Sequence, residues 1–157
     1  MNASGNIWQD CKRLLIVFPY TDEVVYKEYR KALDVLLNDS NVQDLKLVVV
    51  LPDNIKKESL QPHRLIHFLS LKEFNFFGKL KDASFDTVLA QPYDLMLWLQ
   101  LENKRVVKLM QNVHATWKIG VNADADFFDV EVDTASDKPA EIVNFAKQTL
   151  EKITSYE

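Results

Sequence analysis

Apolar residues in this chain gather into short runs, each stopped by a proline or a polar turn, and the runs alternate with segments of helical spacing. Residues 14–18 (LLIVF) stop at Pro19, and residues 45–51 (LKLVVVL) stop at Pro52. Continuous rather than alternating hydrophobicity predicts strands covered on both faces, as in a parallel sheet. Between these runs, Val25, Tyr29, Ala32, Leu33 and Leu36 recur at helical spacing, with Thr21 or Asp22 as the cap and residues 38–41 (NDSN) as the stop. Residues 53–61 have room for a short helix limited by Pro62, and residues 64–70 (RLIHFLS) read as a third strand. Residues 83–91 predict a short helix using Phe85, Val88 and Leu89.

The chain is organised around residues 92–128. A strand over 94–99, a helix over 102–113 with Val106, Val107, Met110 and Val113 inward, and a strand over 117–121 form a βαβ unit with parallel strands. Residues 127–132 (FFDVEV) alternate differently: Phe128, Val130 and Val132 share one face, and Asp129, Glu131 and Asp133 the other. The link over 122–126 is too short for a parallel crossover, which predicts an antiparallel edge strand with its carboxylates in solvent. Ser136 or Asp137 then caps a last helix, with Pro139 near its first turn and Ile142, Phe145, Ala146, Thr149, Leu150 and Ile153 as its buried stripe. The expected fold is one three-layer, Rossmann-like α/β domain over residues 1–157. Its sheet has about six strands, mostly parallel, with an antiparallel edge strand.

Composition narrows the function classes. The 157 residues suffice for one well-buried domain, and 47% hydrophobic with 27% charged residues describes a soluble globular protein. A net charge of −4 without a basic stripe argues against nucleic acid. The apolar runs of five to seven residues fall far short of the roughly 20 that span a bilayer. The N-terminus (MNASGNIWQDCKR) lacks a signal-peptide pattern, and the single cysteine, Cys11, excludes an internal disulfide, so a cytoplasmic location is expected.

The candidate chemistry is sparse. The first strand-to-helix turn, residues 18–22 (FPYTD), holds no glycine, so neither the dinucleotide fingerprint nor the phosphate-cradling loop is present. His63, His67 and His114 lack the cysteine or acid partners of a metal set, and Cys11 precedes any helix start that could lower its pKa. Asp124 and Asp126 are weak metal candidates, because acidic turn chemistry explains them without a ligand. No catalytic residue and no cofactor is assigned. In open α/β sheets ligands bind beyond the carboxyl ends of the strands, which here points to Tyr20, Asp53, Lys72, Gln100, Asn103 and Asn122. Phe74, Phe76 and Phe77, clustered before Gly78, are candidates for a protein-partner surface. Tyr93, Trp98 and Trp117 read as core.

Taken together, residues 71–81 (LKEFNFFGKLK), 92–100 (PYDLMLWLQ) and 117–132 (WKIGVNADADFFDVEV) resemble a family of short bacterial proteins classed as a domain of unknown function. The matching residues are Asn75, Phe77, Gly78, Lys79, Pro92, Tyr93, Asp94, Leu95, Lys118 and Gly120, and the likeness covers the chain after about residue 65. The strand after Asp94 lacks the second acid expected there, so that acid is not essential in this chain. A more distant likeness, through Tyr93-Asp94 and Lys118-Ile119-Gly120, is to the N-terminal, acceptor-side domain of heptosyltransferase-type glycosyltransferases. The second domain that binds the nucleotide sugar in such enzymes has no room here, so the likeness implies shared fold ancestry. The leading expectation is a non-enzymatic domain that binds a protein partner or forms a homodimer. The alternative is a small-molecule, sugar or nucleotide-binding domain related to the acceptor half of a glycosyltransferase.

Overall fold

A computed structural model of the chain describes residues 5–70, 72, 85–101 and 103–153. The elements are α1 (Ile7–Asp10), β1 (Arg13–Pro19), α2 (Glu23–Asn38), β2 (Asp44–Leu51), β3 (Ile66–Ser70), α3 (Phe85–Ala90), β4 (Tyr93–Leu99), α4 (Lys104–Met110), β5 (Ala115–Val121), β6 (Val130–Val132) and α5 (Pro139–Lys152). Among the described residues six strands form one sheet in the order β3-β2-β1-β4-β5-β6, and every pairing between these strands is parallel. The order reverses between β1 and β4, which is the doubly wound, Rossmann-like arrangement. Among the described residues no helix is long and apolar enough to cross a membrane.

The pleat sends successive side chains of each strand into two separate cores. Leu14, Ile16 and Phe18 of β1 join Leu95, Leu97 and Leu99 of β4 beneath α1, α2 and α5. Leu15 and Val17 join Met96 and Trp98 on the opposite face, beneath α3 and α4. This two-sided burial is why the strand sequences show no alternation. Asp22 caps α2 by accepting a hydrogen bond from Val25 N at 2.8 Å, and Tyr29, Leu33 and Leu36 are its buried stripe. In α5 the buried set is Ile142, Val143, Ala146 and Leu150, with Phe145 and Ile153 half-buried. Neither Ser136 nor Asp137 caps that helix. Lys138 stands at its N-cap without a side-chain bond, and the Ser136 hydroxyl accepts from Lys138 N instead. The helix allowed over 53–61 shrinks to a single 3₁₀ turn, Lys57–Ser59.

The edge strand corrects the expected topology, because β6 runs parallel to β5. The length rule for parallel crossovers assumes two full strands, whereas β6 pairs over only Ile119↔Val130, Gly120↔Glu131 and Val121↔Val132. Residues 122–129 therefore need to retreat only about 10 Å along the sheet. The faces also differ from the expected alternation. Val130 and Val132 pack on the α2–α5 side, but Phe128 precedes the strand and packs on the opposite core.

Candidate functional site

Tyr93 and Asp94 sit at the amino end of β4, away from the strand ends where ligands bind in this architecture. Asp94 is half-buried, and its Oδ2 accepts from Lys12 N and Arg13 N, both at 2.9 Å, while the Arg13 guanidinium approaches Oδ1 at 3.3 Å. Burial pushes the carboxyl pKa up, but the two main-chain bonds and the guanidinium outweigh it and hold it below the usual carboxylate range. The Tyr93 hydroxyl donates to Val88 O at 2.7 Å and ties α3 to β4, and burial pushes its pKa up to about 12. Cys11 is buried, and burial together with the Asp94 charge pushes its thiol to about 12, which leaves it protonated and a poor nucleophile at neutral pH.

Lys118 and Gly120 organise the return from β5 to β6. Asp129 N donates to Lys118 O at 2.7 Å, and Lys118 N donates to the Asp129 carboxylate at 2.8 Å. The ammonium of Lys118 lies 5.4 Å from the centre of the Phe127 ring. Phe127 and Phe128 each meet Trp98 edge-on at 5.5 Å between ring centres. A Cβ on Gly120 would lie 2.7 Å from the Phe128 ring, so glycine is what lets that ring lie against the sheet. Glu131 accepts from Ala125 N at 3.1 Å, which gives this exposed carboxylate a turn to hold. Asp124 and Asp126 are exposed on the same return, and among the described residues no group of three or more His, Cys, Asp or Glu converges.

Four of the strand-end candidates carry visible structural duties. Gln100 and Asn122 end the neighbouring strands β4 and β5 with positive φ, 55° and 53°, which turns the chain sharply out of the sheet. The Tyr29 hydroxyl donates to Gln100 Oε1, linking α2 to the end of β4 across the switch point. Burial raises the pKa of that hydroxyl, so it stays protonated and can donate to the amide. Asn122 Oδ1 accepts from Thr134 N at 2.8 Å, and Asn103 Oδ1 caps α4 by accepting from Arg105 N and Val106 N. Tyr20 is buried after β1, and its N donates to Val50 O at 2.8 Å. Asp53 and Lys72 are exposed beyond β2 and β3. The structure thus places Gln100 and Asn122 at adjacent strand ends and leaves Asp53 and Lys72 on the other side of β1. Phe74, Phe76 and Phe77, with Asn75, Gly78 and Lys79, lie outside the described residues.

Two concavities flank α2. The larger, about 860 Å³, lies between α2 and the β2–β3 connection, with Tyr20, Tyr26, Arg30, His63 and Phe68 among its walls. The smaller, about 420 Å³, is a mainly apolar groove between α2 and α5, where Ala32, Val35 and Leu36 face Ala140 and Val143. Of the strand-end candidates, Tyr20 alone lines either one. Arg30, His63 and Phe68 went unassigned as a site because they come from three separate segments, and no local spacing brings them together. Val24 and Val35 had a legible signal: two valines on the polar face of an otherwise amphipathic helix.

Fold and concavities define a doubly wound α/β domain with its cleft beside the first crossover helix. The chain belongs to a family of unknown function (DUF6913), whose profile matches residues 4–153. Neither the curated proteins nor the solved structures contain a match to it.

Proposed function

We propose that this domain works by association rather than catalysis, and that its partner is a second copy of the same chain. The observation that carries this reading is the outer stripe of α2. Val24 and Val35 are 68% and 65% exposed, and with Glu28 and Lys31 they fall at intervals of four, three and four residues on one face. A twofold axis midway between Glu28 and Lys31 sets Val24 against Val35 of the partner subunit. The same axis sets Glu28 against Lys31 of the partner subunit. The surface is therefore complementary to itself, as a closed twofold interface requires. The apolar groove beside the stripe, between Ala32 and Val143, extends the contact toward α5.

Sedimentation velocity over a concentration series tests this. The wild-type chain is expected to shift from monomer to dimer, and Lys31→Glu, which opposes two carboxylates at each contact, to remain monomeric. The double exchange Glu28→Lys/Lys31→Glu restores the charge pairing and is expected to restore the dimer. A wild-type chain that stays monomeric at high concentration sinks the proposal, as does a double exchange that stays dissociated while folded.

Small-molecule binding is a second reading, favoured by the larger cleft. The likeness to a glycosyltransferase half adds little to it. Tyr93, Asp94, Lys118 and Gly120 hold strands and turns together, and common architecture does not carry chemistry.

A further inference from the structure

The larger cleft has an architectural origin. In a doubly wound sheet the β2–β3 crossover is usually a helix that packs beside α2. Here residues 52–65 form only one 3₁₀ turn, so among the described residues no helix covers the flank of α2 and the face of β3. The space measures about 860 Å³, within the range of roughly 300–1,000 Å³ that small-molecule sites occupy.

Its walls fall into two chemical kinds. The floor is aromatic: Tyr26 lies 5.3 Å from Tyr20 and 6.0 Å from Phe68 between ring centres. The rim is polar and rich in donors. The Arg30 guanidinium lies over the Tyr26 ring, 5.8 Å from its centre, with Nη1 3.4 Å from the Tyr26 hydroxyl. Among the described residues Arg30 makes no ion pair, whereas the nearby Lys27 is matched by Glu23 at 3.1 Å. That leaves Arg30 and Lys31 against Asp34 on the α2 wall. On the opposite wall His63 Nδ1 accepts from Leu65 N at 3.1 Å, a geometry that leaves Nε2 as the donor edge of the ring. An aromatic floor below a stacked guanidinium, on a wall where Arg30 and Lys31 outnumber Asp34, suits a flat ring that carries negative charge.

We infer that this cleft is a binding site for a planar aromatic molecule bearing an anionic group, stacked over Tyr26 and Phe68 with its charge held by Arg30. A phosphate on a nucleoside or a carboxylate on an aromatic acid would supply the same chemistry, and the test separates them. The full chain is titrated with adenosine 5′-monophosphate and, separately, with indole-3-acetate, by calorimetry and by amide chemical-shift mapping. At least one anion is expected to bind, with shifts centred on Tyr20, Tyr26, Arg30 and His63. Its neutral counterpart, adenosine or indole, is expected to bind about tenfold more weakly. Arg30→Gln is expected to cost a similar factor, and Arg30→Lys, which keeps charge but loses the planar fork, less. If Arg30→Gln does not fold, Arg30→Lys and the neutral counterparts still decide. Binding by neither anion at millimolar concentration overturns the inference, as do shifts centred elsewhere or folded Arg30 variants that bind like wild type. Lys31 borders both the cleft and the groove beside α5, whereas Arg30 lines the cleft alone, so the Arg30 variants test this site without touching the dimer stripe.

Discussion

The carboxylate of Asp94 fastens the entrance of β1 to β4 by accepting from the main-chain N–H groups of Lys12 and Arg13, just before the paired residues Leu14 and Leu95. Replacing it by asparagine keeps one acceptor and removes the charge, so Asp94→Asn is expected to lower the unfolding free energy by about 1–2 kcal/mol at neutral pH. The pH dependence follows from the lowered pKa. A carboxylate stabilised in the fold contributes fully above its unfolded pKa of about 4 and loses the contribution as pH falls through the lower folded value. Urea titrations of wild type and variant at several pH values check this. The gap is expected to hold from pH 7 to about 5 and to close in acid. A gap that persists at about pH 2 would show that the charge contributes nothing. The sequence singled out Asp94 only through a resemblance; its role became visible when Lys12 and Arg13, far away in the chain, were placed beside it.

At the scale of elements, the β5–β6 return is where local reading and structure part. Its composition, two phenylalanines followed by alternating acids and valines, reads as a strand from residue 127, and the true strand begins at Val130. The difference lies in Gly120: its bare backbone accepts the Phe128 ring, which carries that residue out of the strand and onto Trp98. Gly120→Ala is therefore expected to destabilise the protein by about 1–3 kcal/mol through overpacking. In the Phe128→Leu background the same change is expected to cost clearly less. A double-mutant cycle by denaturant unfolding measures the coupling, and additivity of the two changes would refute the contact. The helices were more legible, because their stripes follow a local period. The misassigned cap of α5 shows the limit, since several polar residues before Pro139 compete and only the path of the chain selects among them.

For the molecule as a whole, the proposed dimer through the α2 stripe would link stability to concentration. A dimer that dissociates on unfolding is stabilised by mass action, so the thermal midpoint is expected to rise by a few degrees over a hundredfold increase in concentration. The Lys31→Glu chain is expected to show no such rise. Calorimetry at two concentrations checks both, and equal slopes for the two proteins would count against the interface. The stripe lies on the exposed side of a helix whose buried side, through Tyr29, reaches the end of β4. The proposed association at α2 would thus use an element already anchored in the sheet.

The sequence by itself determined the class of fold, the number of strands and the inward faces of the main helices. Those follow from periodicity and from runs buried on both sides, which any chain must obey to hide its apolar surface. Tertiary structure decided the direction of the edge strand, because three paired residues need far less return than a full strand. It also decided where the concavities lie. The larger one exists because the β2–β3 connection forms a 3₁₀ turn rather than a helix beside α2, and its walls join Tyr26 and Arg30 of α2 to Tyr20, His63 and Phe68, which reach them only when the sheet closes. Side chains that meet across such distances leave no periodic trace in the chain, so only the folded arrangement could put Arg30, His63 and Phe68 around one space.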